Sequence, residues 1–313
     1  TKVEGQLWYN TTSNTWKLAS DTAGTWATGG LLNLARSEAS SAGAAMDTSL
    51  VASGYAPTNG GTYGLTAVVE TYNGTAWTEK GDVNTARRES AGDGIETAAF
   101  IAGGEIPANT DKNELYNGTA WTEVTGLPTA RSDMVGAGTT TSGLIAGGTP
   151  APVGVDSWNG TSWTEEAALN TPGYSAQGNG ASSTSAWFMG GVPSTRNQYM
   201  EVWNGTSWTE KGDSSTARFD GSAAGTVTAG LVFAGVSTNP TAFNANVEEW
   251  NGTGWTEVAN RITQATDTAG DGSSTSAITI GGWMPPGNPA HTAALNASEE
   301  WIAGPLAVTV TTS

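Results

Sequence analysis

An eight-residue phrase recurs along this chain and limits the folds open to it. Trp158-Asn159-Gly160-Thr161-Ser162-Trp163-Thr164-Glu165 returns with small changes at residues 72–79, 116–123, 203–210 and 250–257. An aromatic, then Asn-Gly, then Trp five residues after the first aromatic predicts two short strands around a tight turn. Asn and Gly both tolerate the positive φ of a hairpin turn, and Trp and Thr favour extended backbone. Two incomplete copies sit at the ends. Trp26 precedes Arg36 by ten residues, as Trp77 precedes Arg87, so Trp26 is the second Trp of a unit whose first half is missing there. Glu299-Glu300-Trp301 matches Glu248-Glu249-Trp250 but has no Asn-Gly-Thr-x-Trp behind it. The strand around Trp26 is therefore expected to complete the last unit beside Trp301.

A second signature lies between the phrases: small residues, an apolar strand, then Gly-Gly or a near match. It appears as Leu50-Val51-Ala52-Ser53-Gly54, Phe100-Ile101-Ala102-Gly103-Gly104 and Leu144-Ile145-Ala146-Gly147-Gly148. It continues as Trp187-Phe188-Met189-Gly190-Gly191, Val232-Phe233-Ala234-Gly235 and Ile278-Thr279-Ile280-Gly281-Gly282. Six such strands mean six units. Their first aromatics, at 72, 116, 158, 203, 250 and 301, are 42 to 51 residues apart. Four short strands repeating at that period predict an all-β, six-bladed β-propeller with four antiparallel strands per blade. The 43 glycines, with no three-residue period, fit turns and exclude collagen. Residues 1–24 are expected to form a small β-hairpin attachment segment, 25–302 the propeller, and 303–313 a final strand or tail that pairs with the hairpin.

Arg opening one strand, Gly-Gly closing the next, then Tyr or Trp, then Trp resembles the kelch repeat over residues 25–302. Gly54 and Gly235 lack a second Gly, and Gly173 and Ala265 stand where the Arg is expected. The resemblance implies that the Arg strand is innermost, followed outward by the Gly-Gly, first-aromatic and second-Trp strands. Arg36, Arg87, Arg131 and Arg218 would then open four innermost strands near the channel mouth. There they would either bond carbonyls or carboxylates of a neighbouring blade or seat an anion or acidic glycan. Trp77, Trp121, Trp163, Trp208 and Trp255 are expected to be buried between blades.

Alternating strand direction sorts the connections into two faces. The Asn-Gly turns are short and uniform. The opposite face carries segments of differing length at 55–65, 105–113, 149–155, 192–198, 236–246 and 283–296, the pattern of a rigid scaffold with one binding surface. Tyr55, Tyr63, Tyr199 and Trp283 on these segments could stack on sugars.

Composition removes several chemistries. There is no Cys and one His, His291 in a Pro/Ala/Asn-rich loop, so thiolate and His-rich metal centres are excluded, and no cofactor is expected. Ser20-Asp21-Thr22-Ala23-Gly24-Thr25-Trp26 has the residues of a sialidase Asp box but not its spacing. Glu79, Glu123, Glu165, Glu210 and Glu257 recur at one strand position, which predicts a solvated outer edge rather than paired catalytic acids. With 12 Lys+Arg against 29 Asp+Glu, the formal net charge of −17 opposes nucleic-acid and anionic-membrane partners. Residues 1–4 carry no signal-peptide hydrophobic region, and no apolar run approaches the roughly 20 residues of a membrane span. Turn geometry accounts for the Asn-Gly-Thr repeats, and the Asn-x-Ser/Thr sequons there and at Asn10 and Asn296 are read as incidental.

Gly5-Gln6-Leu7-Trp8-Tyr9-Asn10-Thr11-Thr12-Ser13-Asn14-Thr15, followed by Trp-Asn-Gly-Thr-Ser-Trp-Thr-Glu units with Asn/Ser-Thr-Ala-Arg linkers, resembles virion proteins of tailed phages, especially marine ones. That resemblance implies a non-enzymatic tail-fibre or surface module on an extracellular particle. Its loop face would meet a host glycan or another virion protein, and the N-terminal hairpin would offer a contact between copies. A secreted propeller lectin or carbohydrate-active enzyme is the alternative.

Overall fold

A computed structural model describes residues 24–58, 63–192, 198–237, 243–284 and 294–304 in full, and three terminal strands as backbone. Six four-stranded antiparallel sheets form a six-bladed β-propeller. From the axis outward, blade 1 comprises Ser40–Ala45, Thr48–Ala52, Val69–Tyr72 and Trp77–Glu79. Blade 2 comprises Ala91–Ile95, Ala98–Ala102, Asn113–Tyr116 and Trp121–Val124. Blade 3 comprises Val135–Thr139, Ser142–Ala146, Val155–Trp158 and Trp163–Glu165. Blade 4 comprises Gln177–Ser182, Ser185–Met189, Met200–Trp203 and Trp208–Glu210. Blade 5 comprises Ser222–Thr226, Ala229–Phe233, Val247–Trp250 and Trp255–Val258. Blade 6 takes Ala269–Ser273, Ser276–Ile280 and Ser298–Ile302, and its outer strand is Thr25–Thr28 from the other end of the chain.

That last pairing sets Trp26 opposite Trp301, with ring centroids 5.6 Å apart, and closes the ring as the incomplete end copies predict. The innermost strands of blades 6 and 1 adjoin as every other neighbouring pair does. Six strands converging on an axis leave room only for small residues, hence the Gly/Ala/Ser-rich innermost strands. A Cβ on Gly136 would lie 2.8 Å from the backbone N and O of Gly92 in the preceding blade. The next strand outward supplies the core: Val51, Ile145, Trp187, Val232 and Ile278 are fully buried. Leu7–Asn10 and Thr15–Ala19 form the terminal hairpin, and Ala307–Val310 pairs with its second strand.

Two local expectations change. In the Asn-Gly turns only the glycine takes a positive φ (Gly160, +92°). The Asn acts through its side chain: Asn159 Oδ1 accepts from the amides of Thr161 and Ser162 at 2.9 Å, and Asn73, Asn117, Asn204 and Asn251 do the same. The second Trp is also not the deepest ring. Tyr72, Tyr116, Trp158, Trp203, Trp250 and Trp301 are 1–3% exposed. Trp77, Trp121 and Trp208 are buried at 5–7%, while Trp163 and Trp255 are only half-buried. The outer strand forms the rim, so one side of these rings meets water. Glu79, Glu123, Glu165, Glu210 and Glu257 are all exposed there, as the sequence predicts.

Backbone hydrogen bonds tie each blade to the next. The amide that ends the Gly-Gly segment donates to the carbonyl at the Arg position of the following blade: Gly54 to Arg87, Gly104 to Arg131, Gly148 to Gly173, Gly191 to Arg218, Gly235 to Ala265 and Gly282 to Arg36. Because only a carbonyl is needed, Gly173 and Ala265 keep the stitch without the guanidinium. Ser53 replaces the first glycine of its pair and adds its hydroxyl, which donates to Arg87 O at 2.5 Å. Among the described residues, no helix is long and apolar enough to cross a membrane.

Candidate functional site

The four arginines are withdrawn from solvent. Arg36, Arg87, Arg131 and Arg218 are 0–1% exposed. Each pairs with a buried acid on the third strand of its own blade, not a neighbouring one: Arg36 with Glu70 (2.5 Å), Arg87 with Glu114 (2.7 Å), Arg131 with Asp156, and Arg218 with Glu248 (2.9 Å). Three of these acids also receive backbone amides of the incoming linker: Glu70 from Asn33 and Leu34, Glu114 from Asn84 and Thr85, and Glu248 from Ser215 and Thr216. These guanidiniums are already neutralised and out of reach of a solvent anion, so they brace blades rather than form an anion seat. Blade 6 substitutes Arg261, 3.6 Å from Glu299. In blade 4, Glu201 is held by Asn170 and Thr171 amides instead. The signal for these braces is visible in the sequence, because all six units carry an acid two residues before the first aromatic.

Three of the four predicted loop aromatics come together. The loop hairpin of Tyr55–Pro57 and Tyr63–Leu65 stacks Tyr55 on Tyr63 at 5.7 Å. Tyr63 packs on Trp283 at 4.8 Å and accepts the Ala294 amide at 3.0 Å. Arg88 lies over the Tyr55 ring at 5.3 Å. The cluster spans blades 6 and 1, so residues more than 200 apart in sequence share it. Tyr199 stands away from it, 44% exposed at the entry to the third strand of blade 4. His291 lies outside the described residues, as do 59–62, 193–197, 238–242 and 285–293 of the predicted variable segments.

The same end of the ring holds a feature the sequence reading did not single out. Glu38, Glu89, Asp133, Ser175, Asp220 and Asp267 all have φ between 52° and 58°, a left-handed conformation that costs a non-glycine residue on the order of 1 kcal/mol. Their backbones form a closed cycle around the axis. Glu89 N donates to Glu38 O, Asp133 to Glu89, Ser175 to Asp133, Asp220 to Ser175, Asp267 to Asp220 and Glu38 to Asp267, all at 2.9–3.1 Å. All six line one axial cavity. Glycine would adopt this backbone with less strain, yet five positions carry carboxylates. The signal was present in the sequence as an acid two residues after the Arg position in five of six units.

Burial and mutual repulsion shape their acidity. Burial, then the Asp133 charge, push Glu89 up to about 8. Burial, then Glu38, raise Asp133 to about 6. Burial raises Asp220 to about 6, and burial with Asp220 and Glu38 lifts Asp267 well above the carboxylate range. Among the described residues, Arg88 is a cation at this mouth, bonding Glu38 at 2.9 Å and Glu105 at 3.1 Å. The bridges Ser37↔Tyr55, Arg88↔Glu105 and Thr266↔Trp283 tie the strand entries to the variable loops, so this acidic basin and the aromatic cluster share one face.

Below the basin the channel narrows between innermost strands, then opens at the turn side among Ala44, Ile95, Thr140, Ala181, Thr226 and Ser273. Among the described residues, no group of three or more His, Cys, Asp or Glu is arranged to hold a metal ion directly. The loop-side mouth thus combines half-buried aromatic rings with carboxylates of unequal acidity, a surface suited to a polyhydroxylated or cationic group. In the comparisons with known proteins, no family model and no curated protein matches the chain.

Proposed function

We propose that this chain is a non-enzymatic binding module that presents its loop-side mouth to a partner. The kelch-type and tailed-phage resemblances of the sequence supply the setting: a tail fibre or other surface structure of a virion, with a host glycan or another virion protein as partner. The observation that carries the reading is the asymmetry of the propeller. Tyr55, Tyr63 and Trp283 cluster beside five axial carboxylates on one face, whereas on the other face the outer strands are joined by near-identical Asn-Gly turns. Aromatic rings offer flat apolar faces to sugar rings, and carboxylates accept from sugar hydroxyls or pair with partner cations.

The test is a glycan array probed with the whole protein, followed by interferometry on the strongest glycan. Trp283→Ala and Tyr55→Ala should weaken binding about tenfold or more while Ile95→Ala on the opposite face leaves it unchanged. Binding lost with Ile95→Ala and kept with the aromatic variants would overturn the choice of face. The alternative, a carbohydrate-active enzyme, draws on the carboxylates of raised pKa at this mouth. Release of reducing sugar from a polysaccharide panel, abolished by Glu89→Gln, would establish it and refute the non-enzymatic reading.

A further inference from the structure

The innermost strands carry a second pattern, deeper in the channel than the carboxylate mouth. The third residue of each is Ala42, Asp93, Ala137, Asn179, Ala224 and Asp271 in blades 1 to 6. Small apolar and oxygen-bearing side chains alternate, so Asp93, Asn179 and Asp271 stand on every second blade at one level of the ring. All three line one cavity with about 110 Å³ open to the centres of water molecules, together with Gln177. Its lining contains no basic residue.

Packing alone does not account for these side chains, since alanine fills the same place in three blades. Asp93 is 6% exposed and Asp271 2%. Asp93 accepts the Gly94 and Gly138 amides at 2.6 Å, one on each oxygen. Asp271 Oδ1 accepts the Gly272 amide at 3.1 Å, but its Oδ2 has no partner within the protein. Gln177, 2% exposed, spends its amide hydrogens on Ser175 O and leaves Oε1 equally unpartnered. An uncompensated buried carboxylate oxygen and an uncompensated buried amide oxygen are each costly. Here both belong to the lining of one largely polar cavity. After burial, the Asp93 charge is what raises Asp271.

We propose that the waist of the axial channel is a site for a hydrated divalent cation of the calcium type, held by Asp93 and Asp271 with the amide oxygens of Gln177 and Asn179 around it. Carboxylate and amide oxygens are hard donors that suit calcium, which accepts six to eight oxygens and tolerates waters among them. The cavity has room for an ion with several waters, since one water needs only about 10–15 Å³ of such space. Coordination from alternate blades would clamp the ring at its centre.

The experiment is thermal melting and calorimetry of the whole protein after chelator treatment, with calcium chloride added and sodium chloride at matched ionic strength as control. A cation bound to the folded state raises the melting temperature by mass action, here by about 3–5 °C at about 5 mM calcium, with one site per chain by calorimetry. Asp271→Asn and Asp93→Asn should each abolish the calcium response, and Asp271→Asn should melt no lower than the wild type in chelator. Asp267→Asn at the loop-side mouth should keep the full response. The proposal is overturned if the wild type shows no calcium-specific heat or shift, if sodium matches calcium, if both waist variants still respond, or if Asp267→Asn alone removes the response.

Discussion

The two ends of the axial channel are built from the same six strands yet differ in chemistry. At the loop side, six non-glycine residues are held in a left-handed backbone, and five of them project carboxylates around one cavity. At the turn side, the strand ends are Gly, Ala, Ser and Thr, and the exposed apolar side chain is Ile95. A turn between adjacent strands asks only for small residues and satisfied amides. The loop side must redirect each chain from an outer strand of one blade to the innermost strand of the next, which creates the cycle of backbone bonds. The propeller requires that cycle; it does not require acids there. That excess over structural need is the observation behind the proposal that the loop side is the binding end.

Breaking the two sides should expose the difference in order of size. Arg218→Ala, on the loop side, strands the buried Glu248 carboxylate and should cost about 3–5 kcal/mol in urea denaturation. A loss below about 1 kcal/mol would show that the ion pair does not brace the blade. Arg261→Ala should cost less, because its pair with Glu299 is looser at 3.6 Å.

The acidic mouth should also give the protein a pH dependence, to which Asp93 deeper in the channel, raised by burial to about 7, adds. Every described carboxylate with a displaced pKa is displaced upward, including Glu89 to about 8 and Asp133 and Asp220 to about 6. Between about pH 4 and 8 the folded protein therefore retains protons that the unfolded chain has released. The stability that these groups contribute is fullest below the unfolded-state values near pH 4 and is lost as pH rises through the folded-state values. From pH 5 to pH 8 the loss should be on the order of 1–3 kcal/mol by chemical denaturation. Glu89→Gln should flatten the curve near its upper end, and a stability that rises over this range would contradict the assignment.

Trp283→Ala removes one ring of the aromatic cluster and should cost about 1–2 kcal/mol along with the binding loss, since each aromatic pair adds only about 0.5–1.5 kcal/mol beyond burial. The smallest effect belongs to the turn side. Thr226→Ala should change stability by no more than about 0.5 kcal/mol and leave binding intact. A larger change there would mean that the turn-side mouth has a role of its own.

The repeats themselves determined the fold. The hydrophobic period, the Asn-Gly turns and the offset between Trp26 and Trp301 are local patterns, and each follows from what a short strand or turn demands of its residues. Five complete copies and a sixth split between the two ends leave a closed ring as the consistent arrangement, down to the pairing of Trp26 with Trp301. The variable loops were legible in the same way, as departures from the period.

Only the tertiary structure decided what the recurring charges do. Arg218 and Glu248 are thirty residues apart, and nothing local to either shows that one buries the other. The acids after the Arg position repeat as regularly as the outer-strand glutamates, yet Glu79 and its counterparts lie in water and Glu38, Glu89, Asp133, Asp220 and Asp267 face the axis. Likewise, Tyr63 meets Trp283 because ring closure brings blade 6 against blade 1. A repeated residue type shows that a position matters to the unit. Its electrostatic role depends on distance from the axis and on which blade stands beside it, and those are set when all six units close.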